Sequence, residues 1–363
     1  MVIYAARFVN AVERGLCDYF IFIYLLSMNK TQLVILFLLL YAVSFSQERT
    51  KDYVIPLPNS RLTNYIYNDI DFIDSRSDTI QIGFVQVGAF NAKARLILSN
   101  PLRVQLKNIV KHLTDSISKN ESKLLFQLRK LNFAELTTKN EHGYFSLRAN
   151  LYVCKGNLCQ KLLFIDTSIV IQSSDVTKPL LKAGGNIITD FIAKGLSKKS
   201  LDSIYYSISD IRKIDSIDKQ KLNLYTTKKY TEGIYRNYRS FSNQLNAMPL
   251  VFDSSGGKSK IAIKTKDENG AIINIDSKKV YAFTHNNQLY IATEFGYYPL
   301  IKKDNNFYFT GKARVSADIG EMFLGGLLLG GWGVGLAAEN NSAVFEMKLD
   351  YIDGSFMKIK EIK

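Results

Sequence analysis

The chain has 363 residues, with 47 Lys and Arg against 33 Asp and Glu, a formal charge of +14 at neutral pH, and three histidines. This length allows about two domains and a sizeable core. The basic excess is spread along the chain, which suits a solubilising surface or contact with anionic envelope polymers such as polysaccharide, and the export signal described next excludes nucleic acid as partner.

From Met28 the chain reads Met-Asn-Lys, then the apolar run Leu33–Val43, then Ser44-Phe45-Ser46 ahead of Gln47. A short basic segment, an apolar stretch and small residues at −3 and −1 predict a signal peptide over 28–46, cut between Ser46 and Gln47. Residues 1–27 then read as an extension upstream of the true start, although Tyr19–Leu26 is a second apolar patch. The uncharged run is shorter than the roughly 20 residues a bilayer span needs. No cysteine stands at the cut, so a lipid anchor is not expected. The expected location is exported, in the periplasm or associated with the outer membrane.

The first domain is expected over 47–198. Ile80, Ile82 and Phe84 alternate within a strand at about 78–87. A helix follows at about 101–118, with Ser99 and Asn100 available as caps and Pro101 suited to the first turn. Its stripe comprises Leu102, Leu106, Ile109, Val110, Leu113 and Ile117, with Arg103, Lys107 and Lys111 off it. Strands are predicted at about 123–133, 143–154 and 159–172. A second helix runs from Asp175-Val-Thr177 to about Leu196, with Leu180, Leu181, Ile187, Ile188, Phe191 and Ile192 inward and a kink expected at Gly184-Gly185. The order β-α-β-β-β-α predicts an α+β fold, an antiparallel sheet with two packed helices.

Cys154 and Cys159 flank Gly156-Asn157, a two-residue hairpin turn signal. Centring the turn there sets the two cysteines opposite each other at a non-hydrogen-bonded pair, where strands approach most closely, so a cross-strand disulfide is predicted. Two thiols without a neighbouring histidine make half a zinc site, and no metal is expected.

Asp74-Ser-Arg76 with Ile82-Gly83, and the closing Asp175-Val-Thr-Lys-Pro179 segment, resemble the small envelope lipoproteins of the YajG type and the auxiliary lipoproteins of ABC-type exporters in Gram-negative cells. The likeness covers this domain alone and departs from those families in lacking the lipid-bearing cysteine. It implies a non-catalytic envelope module.

Residues 199–229 are expected as a helical linker. Leu201, Ile204, Ile208, Ile211, Ile214 and Ile217 recur at steps of three or four, reading as an amphipathic helix of about 20 residues that ends before Leu222. Asp202-Ser203-Ile204 and Asp215-Ser216-Ile217 resemble the acceptor pattern of a general periplasmic O-glycosylation system, making Ser203 and Ser216 candidate sites.

The second domain, 230–363, reads as a β-rich meander with breaks at Asp267–Gly270, His285–Gln288, Asp304–Asn306 and Asp353-Gly354. Its opening, Glu232-Gly-Ile-Tyr…Phe241 to Met248-Pro249, resembles that of an uncharacterised class of exported bacterial proteins. Within it, 322–338 carries no charge. Gly326/Gly330 and Gly331/Gly335 make two G-x-x-x-G steps around Trp332, giving a surface for membrane or oligomer contact, or a buried segment.

Catalytic signals are lacking. No G-x-S-x-G elbow or H-E-x-x-H is present, and His112, His142 and His285 read as solvated. Ser255-Gly-Gly-Lys-Ser259 lacks the first glycine of a P-loop. Asp69, Asp71 and Asp74 lack the glycine-turned loop of a calcium site, and nothing in the sequence brings the carboxylates Glu135 and Glu141 together. No catalytic residue or cofactor is expected. The sequence points to an exported envelope binding or scaffolding protein whose partners are envelope proteins or polymers. Two alternatives are an exported hydrolase of polysaccharide or peptidoglycan using carboxylates such as Glu232, Glu294 or Asp304, and a protein that associates with membrane through 322–338.

Overall fold

The computed structural model describes residues 49–76, 79–88, 91–114, 121–137, 141–200, 203–253, 262–314 and 342–362. The cut at Ser46 and Gln47, Ser255–Ser259 and the Gly-rich segment with Gly326, Gly330, Gly331, Trp332 and Gly335 lie outside them. No helix among the described residues is long and apolar enough to cross a membrane.

The first sheet is built from β1 (Arg49–Tyr53), β2 (Ile70–Asp74), β3 (Gln81–Val87), β4 (Ala92–Leu98), β5 (Lys123–Thr137), β6 (Glu141–Lys155), β7 (Leu158–Ser173) and β8 (Tyr205–Ser207). Its order is β1-β4-β3-β5-β6-β7-β8, with β2 also paired to β5. The fold is α+β as expected, but the sheet is mixed. One side of β5 is shared by β2 and β3, both parallel to it, at Ile70–Asp74 against Leu124–Leu128 and at Gly83–Phe84 against Phe133–Ala134. Strands β1, β2 and β4 add to the expected order.

Period two along β5 and β6 separates two buried faces. Leu124, Phe126, Phe133, Phe145, Leu147 and Leu151 point inward to a core shared with helices α1 (Leu102–Leu113) and α2 (Thr177–Leu196). On α1 the predicted stripe is buried as far as Leu113, the last helical residue; Ile117 lies outside the described residues. Pro101 occupies the N-cap without a side-chain cap bond. Gln105 instead anchors the turn, donating to the Asn100 carbonyl at 2.8 Å and accepting from Ile55 N at 2.7 Å.

Helix α2 runs unbroken through Gly184-Gly185, where a kink was expected. Packing explains it. A Cβ on Gly184 would lie 2.5 Å from the Phe133 ring, and one on Gly185 would lie 2.2 Å from Pro56. The missing side chains let the helix lie close to the sheet.

The single helix expected over the linker is replaced by β8, α3 (Ile208–Arg212) and α4 (Ile214–Lys219), followed by α5 (Asn223–Thr226). Ser207 caps α3 in a reciprocal capping box with Asp210. The reason for the break lies in the spacing: Ile208, Ile211, Ile214 and Ile217 repeat every three residues, and an α-helix turns only 300° in three. A continuous helix would spread them around half its circumference. The break at Lys213 brings all four onto a cluster with Tyr152, Cys154, Cys159 and Tyr206 on the outer face of the first sheet.

A β-strand, β9 (Gly233–Tyr235), and helix α6 (Tyr238–Asn243) open the remaining chain. A three-stranded sheet follows, of β10 (Val251–Asp253), β11 (Ala262–Lys266) and β12 (Ile272–Asn274). Then β13 (Ala282–His285), β14 (Gln288–Thr293), β15 (Gly296–Lys303), β16 (Asn306–Arg314), β17 (Ser342–Leu349) and β18 (Phe356–Glu361) form the expected antiparallel meander, with β9 beside β13. Asn286-Asn287 and Asp304-Asn305 both take positive φ at each central position, the backbone of a primed hairpin turn. The described residues from Thr50 onward constitute one compact unit.

Candidate functional site

Strand β7 has sixteen residues, and β8 covers its outer edge only at Leu158–Gln160. Among the described residues no strand pairs with that edge from Leu162 to Ser173. Its residues alternate in exposure: Leu163, Ile165, Ile169 and Ile171 pack at the rim of the main core, while Phe164 and Val170 stand 44% and 55% exposed on the opposite face. The result is a row of backbone donors and acceptors flanked by apolar side chains on both faces, the arrangement onto which an added strand docks.

Beside that edge the outer face of the first sheet turns polar, and it is roofed by the β17–β18 turn. Arg148 of β6 reaches Asp166 at 2.8 Å, Asp350 at 2.6 Å and Asp353 at 3.0 Å, with its side chain 7% exposed. Burial, and then the neighbouring Asp350 charge, push the Asp353 carboxyl above its ordinary range. Burial, and then the charge of Arg148, lower the Lys130 ammonium alongside. Arg129 contacts the Tyr351 hydroxyl and lies 2.6 Å from Asp215, and Lys219 donates to Asn306 at 2.7 Å. Next to them the Gln127 amide donates to the Ile211 carbonyl at 2.7 Å and accepts from Asn150 at 2.9 Å, tying α3 to the sheet. The turn itself is held by Tyr238 and Tyr281, which donate to the Tyr351 and Gly354 carbonyls. Gly354 has φ +76° and a Cβ there would strike the Tyr238 ring, so glycine is required twice over. These charges lock one sheet to the other.

The residues singled out in the sequence are placed as follows. Cys154 and Cys159 are joined, with S–S 2.03 Å, at opposed positions of the β6–β7 hairpin whose turn begins with Gly156 at φ +60°. Glu135 and Glu141, with no sign of meeting in the sequence, both arrive at the start of α2. Glu135 accepts from the Thr177 hydroxyl at 2.6 Å and from Gln86 N at 3.1 Å; Glu141 accepts from Val176 N at 3.0 Å. Burial pushes the Glu135 carboxyl up. Their position suits compensation of the helix dipole. Asp71 pairs with Lys123 and Arg103, Asp69 with Lys107 and Asp74 with Arg76, so the acidic cluster ties α1 to β2. The Lys123 ammonium holds the Asp71 carboxyl below its usual range.

Glu232 accepts from the N–H groups of Asn286 and Asn287 at 3.1 and 2.7 Å, Glu294 forms a two-pronged pair with Arg314, and Asp304 sits in a hairpin turn. Among the described residues no three His, Cys, Asp or Glu side chains gather as a metal site. His112 is exposed on α1, and Ser203 and Ser216 are exposed, Ser203 ahead of β8 and Ser216 on α4. The uncovered edge and the Arg148 cluster were not foreseen. The low charge of Leu162–Ile171 was the signal available for the edge.

No family model matches the chain, and no curated protein matches it. Among solved structures, a Xanthomonas campestris protein assigned to the family DUF330 matches with TM-score 0.27 and 10% identity, covering 47% of this chain and 99% of that one. Another, described as an uncharacterized protein, matches with TM-score 0.22 and 11% identity over 40% of this chain and 98% of that one. Overlaps of this quality bear no weight for function, and the YajG-type resemblance is not shown by them.

Proposed function

We propose that this protein is an exported binding or scaffolding protein of the bacterial envelope, without catalysis, that works through the outer edge of β7. The observation that carries this reading is the twelve-residue strand edge, Leu162–Ser173, which no strand among the described residues covers, beside the exposed Phe164 and Val170. Strand edges bind extended segments by main-chain hydrogen bonds, and apolar side chains on alternate positions add selectivity. The Cys154–Cys159 bridge agrees with export, because disulfides persist in oxidising compartments. The ionic groups at the sheet junction and at the α2 start are engaged with one another or with backbone, which suits a structural role for them.

A photo-crosslinking amino acid placed at Phe164 or Val170 in the full chain, expressed in a Gram-negative host, tests this. The expected result is discrete adducts in the envelope fraction, absent when the probe sits at Val104, an exposed position on α1. An exported chain that yields no adduct from either β7 position overturns the reading, as does hydrolysis of purified peptidoglycan or envelope polysaccharide.

A further inference from the structure

We infer that the occupant of the β7 edge is the β7 edge of a second copy of this chain, paired antiparallel about a two-fold axis at Thr167. This rests on the reading that the edge is the binding surface and names its partner.

Strand edges are ordinarily blunted by shortness, charge, proline or a bulge, because an open edge recruits further strands. Elsewhere this protein follows that rule. Strand β1 has five residues and exposes Arg49, Lys51 and Asp52; β8 has three; β18 carries the exposed Lys360 followed by Glu361. On β7 the segment Leu162–Ile171 has one charge, no proline and no glycine, and five of its ten residues are β-branched. Its one charge, Asp166, is already paired with Arg148 of the same copy. Such an edge needs a cover, and no described strand of this chain supplies one.

The identity of the cover follows from the order of residues. A two-fold axis perpendicular to the sheet sets each residue opposite one on the same face of the other copy. With the axis at Thr167, Phe164 faces Val170 and Asp166 faces Ser168 on the outer face. Ile165 faces Ile169 and Leu163 faces Ile171 on the core face. Between Leu163 and Ile171 every apolar side chain meets an apolar one, a hydroxyl meets the carboxylate, and Thr167 meets its own copy; beyond that span Leu162 falls opposite Gln172. Neighbouring axes do worse. At Asp166 two carboxylates oppose each other, which destabilises a cross-strand pair, and at Ser168 the carboxylate falls against Val170. The strand is complementary to itself in one register.

Sedimentation velocity of the purified full chain over a wide concentration range tests the pairing. The expected result is a reversible dimer. Val170→Lys, at an exposed position, is expected to weaken it about tenfold or more, because the altered pair occurs twice across the axis. Phe164→Glu alone is expected to weaken it likewise. Combining Phe164→Glu with Val170→Lys sets opposite charges across the axis and is expected to recover most of the affinity. Thr167→Cys is expected to form a disulfide-linked dimer on mild oxidation, since its two copies stand directly opposed. Unchanged far-UV circular dichroism in each variant separates loss of pairing from loss of fold. A chain that is monomeric throughout, or a dimer indifferent to Val170→Lys that does not cross-link at position 167, overturns the inference. If the photo-adducts at Phe164 then contain another envelope protein, the binding edge stands and the self-pairing alone falls.

Discussion

Arg148 lies on β6 of the first sheet and Asp350 in the β17–β18 turn of the last, yet Nη1 of Arg148 lies 2.6 Å from the Asp350 carboxylate, and both side chains are almost wholly buried. With Asp166 and Asp353 also on this guanidinium, Arg148 is the ionic pin between the β6 surface and the β17–β18 turn.

Removing one partner of a buried ion pair leaves uncompensated charge, at a cost of about 3–5 kcal/mol. Arg148→Met is therefore expected to lower unfolding stability by that amount in urea titration. Adding Asp350→Asn and Asp353→Asn should return much of it, since the stranded carboxylates are then neutral. An Arg148→Met protein with an unchanged urea midpoint would show that the junction does not depend on this cluster.

The Cys154–Cys159 bridge closes a short loop. The chain-entropy relation for so few residues gives about 2 kcal/mol. Cys154→Ala with Cys159→Ala is expected to reduce stability by about that much while leaving the hairpin register intact, because its turn and long strands remain. Equilibrium denaturation of the double variant, beside the wild type with and without reductant, checks both statements.

Intrinsic helix propensity favours alanine over glycine by about 1 kcal/mol, so Gly184→Ala looks stabilising on local grounds. The structure reverses the sign. A Cβ there meets Phe133 at 2.5 Å and Phe145 at 2.7 Å, two rings with no exposure. Overpacking of this kind costs about 1–3 kcal/mol, and the thermal midpoint of Gly184→Ala is expected to fall.

Lys358 donates to the Arg314 carbonyl at 2.6 Å over the Phe345 ring, and burial lowers its ammonium to about 8. A lysine depressed in the folded state disfavours folding while it is charged there, and that penalty is relieved as pH rises from about 8 towards the unfolded value. Lys358→Met is expected to stabilise the protein at pH 7 and to narrow its advantage over wild type by pH 10. Thermal melts of both proteins across that range would show it; an advantage that widens with pH sinks the assignment.

Much of the fold was legible because its signals are local. Gly156, Asn286-Asn287 and Asp304-Asn305 mark hairpins through backbone angles that few other residues accept. The cysteines follow from the first of these turns by counting. The helix stripes of α1 and α2 are equally local. Strands β1, β2 and β4 were missed because five to seven residues carry little period, and β2, read as Ile-Asp-Phe-Ile-Asp, drew attention as an acidic cluster. The linker reads as one helix because steps of three and four suit a helical face, but from Ile208 to Ile217 every step is three, and the chain folds as two short helices instead.

By itself, the sequence determined the α+β order, the β-rich second half, the hairpin turns and the place where two thiols can meet. Each depends on residues a few positions apart. Tertiary structure alone decided that β2 and β3 lie parallel to β5, that Gly184-Gly185 is a contact rather than a hinge, and that Arg148 meets carboxylates about two hundred residues away. It also decided that, among the described residues, β7 ends the first sheet along most of its length. Which edge of a sheet stays open depends on where every other strand pairs, and those pairings are made by groups distant in the chain.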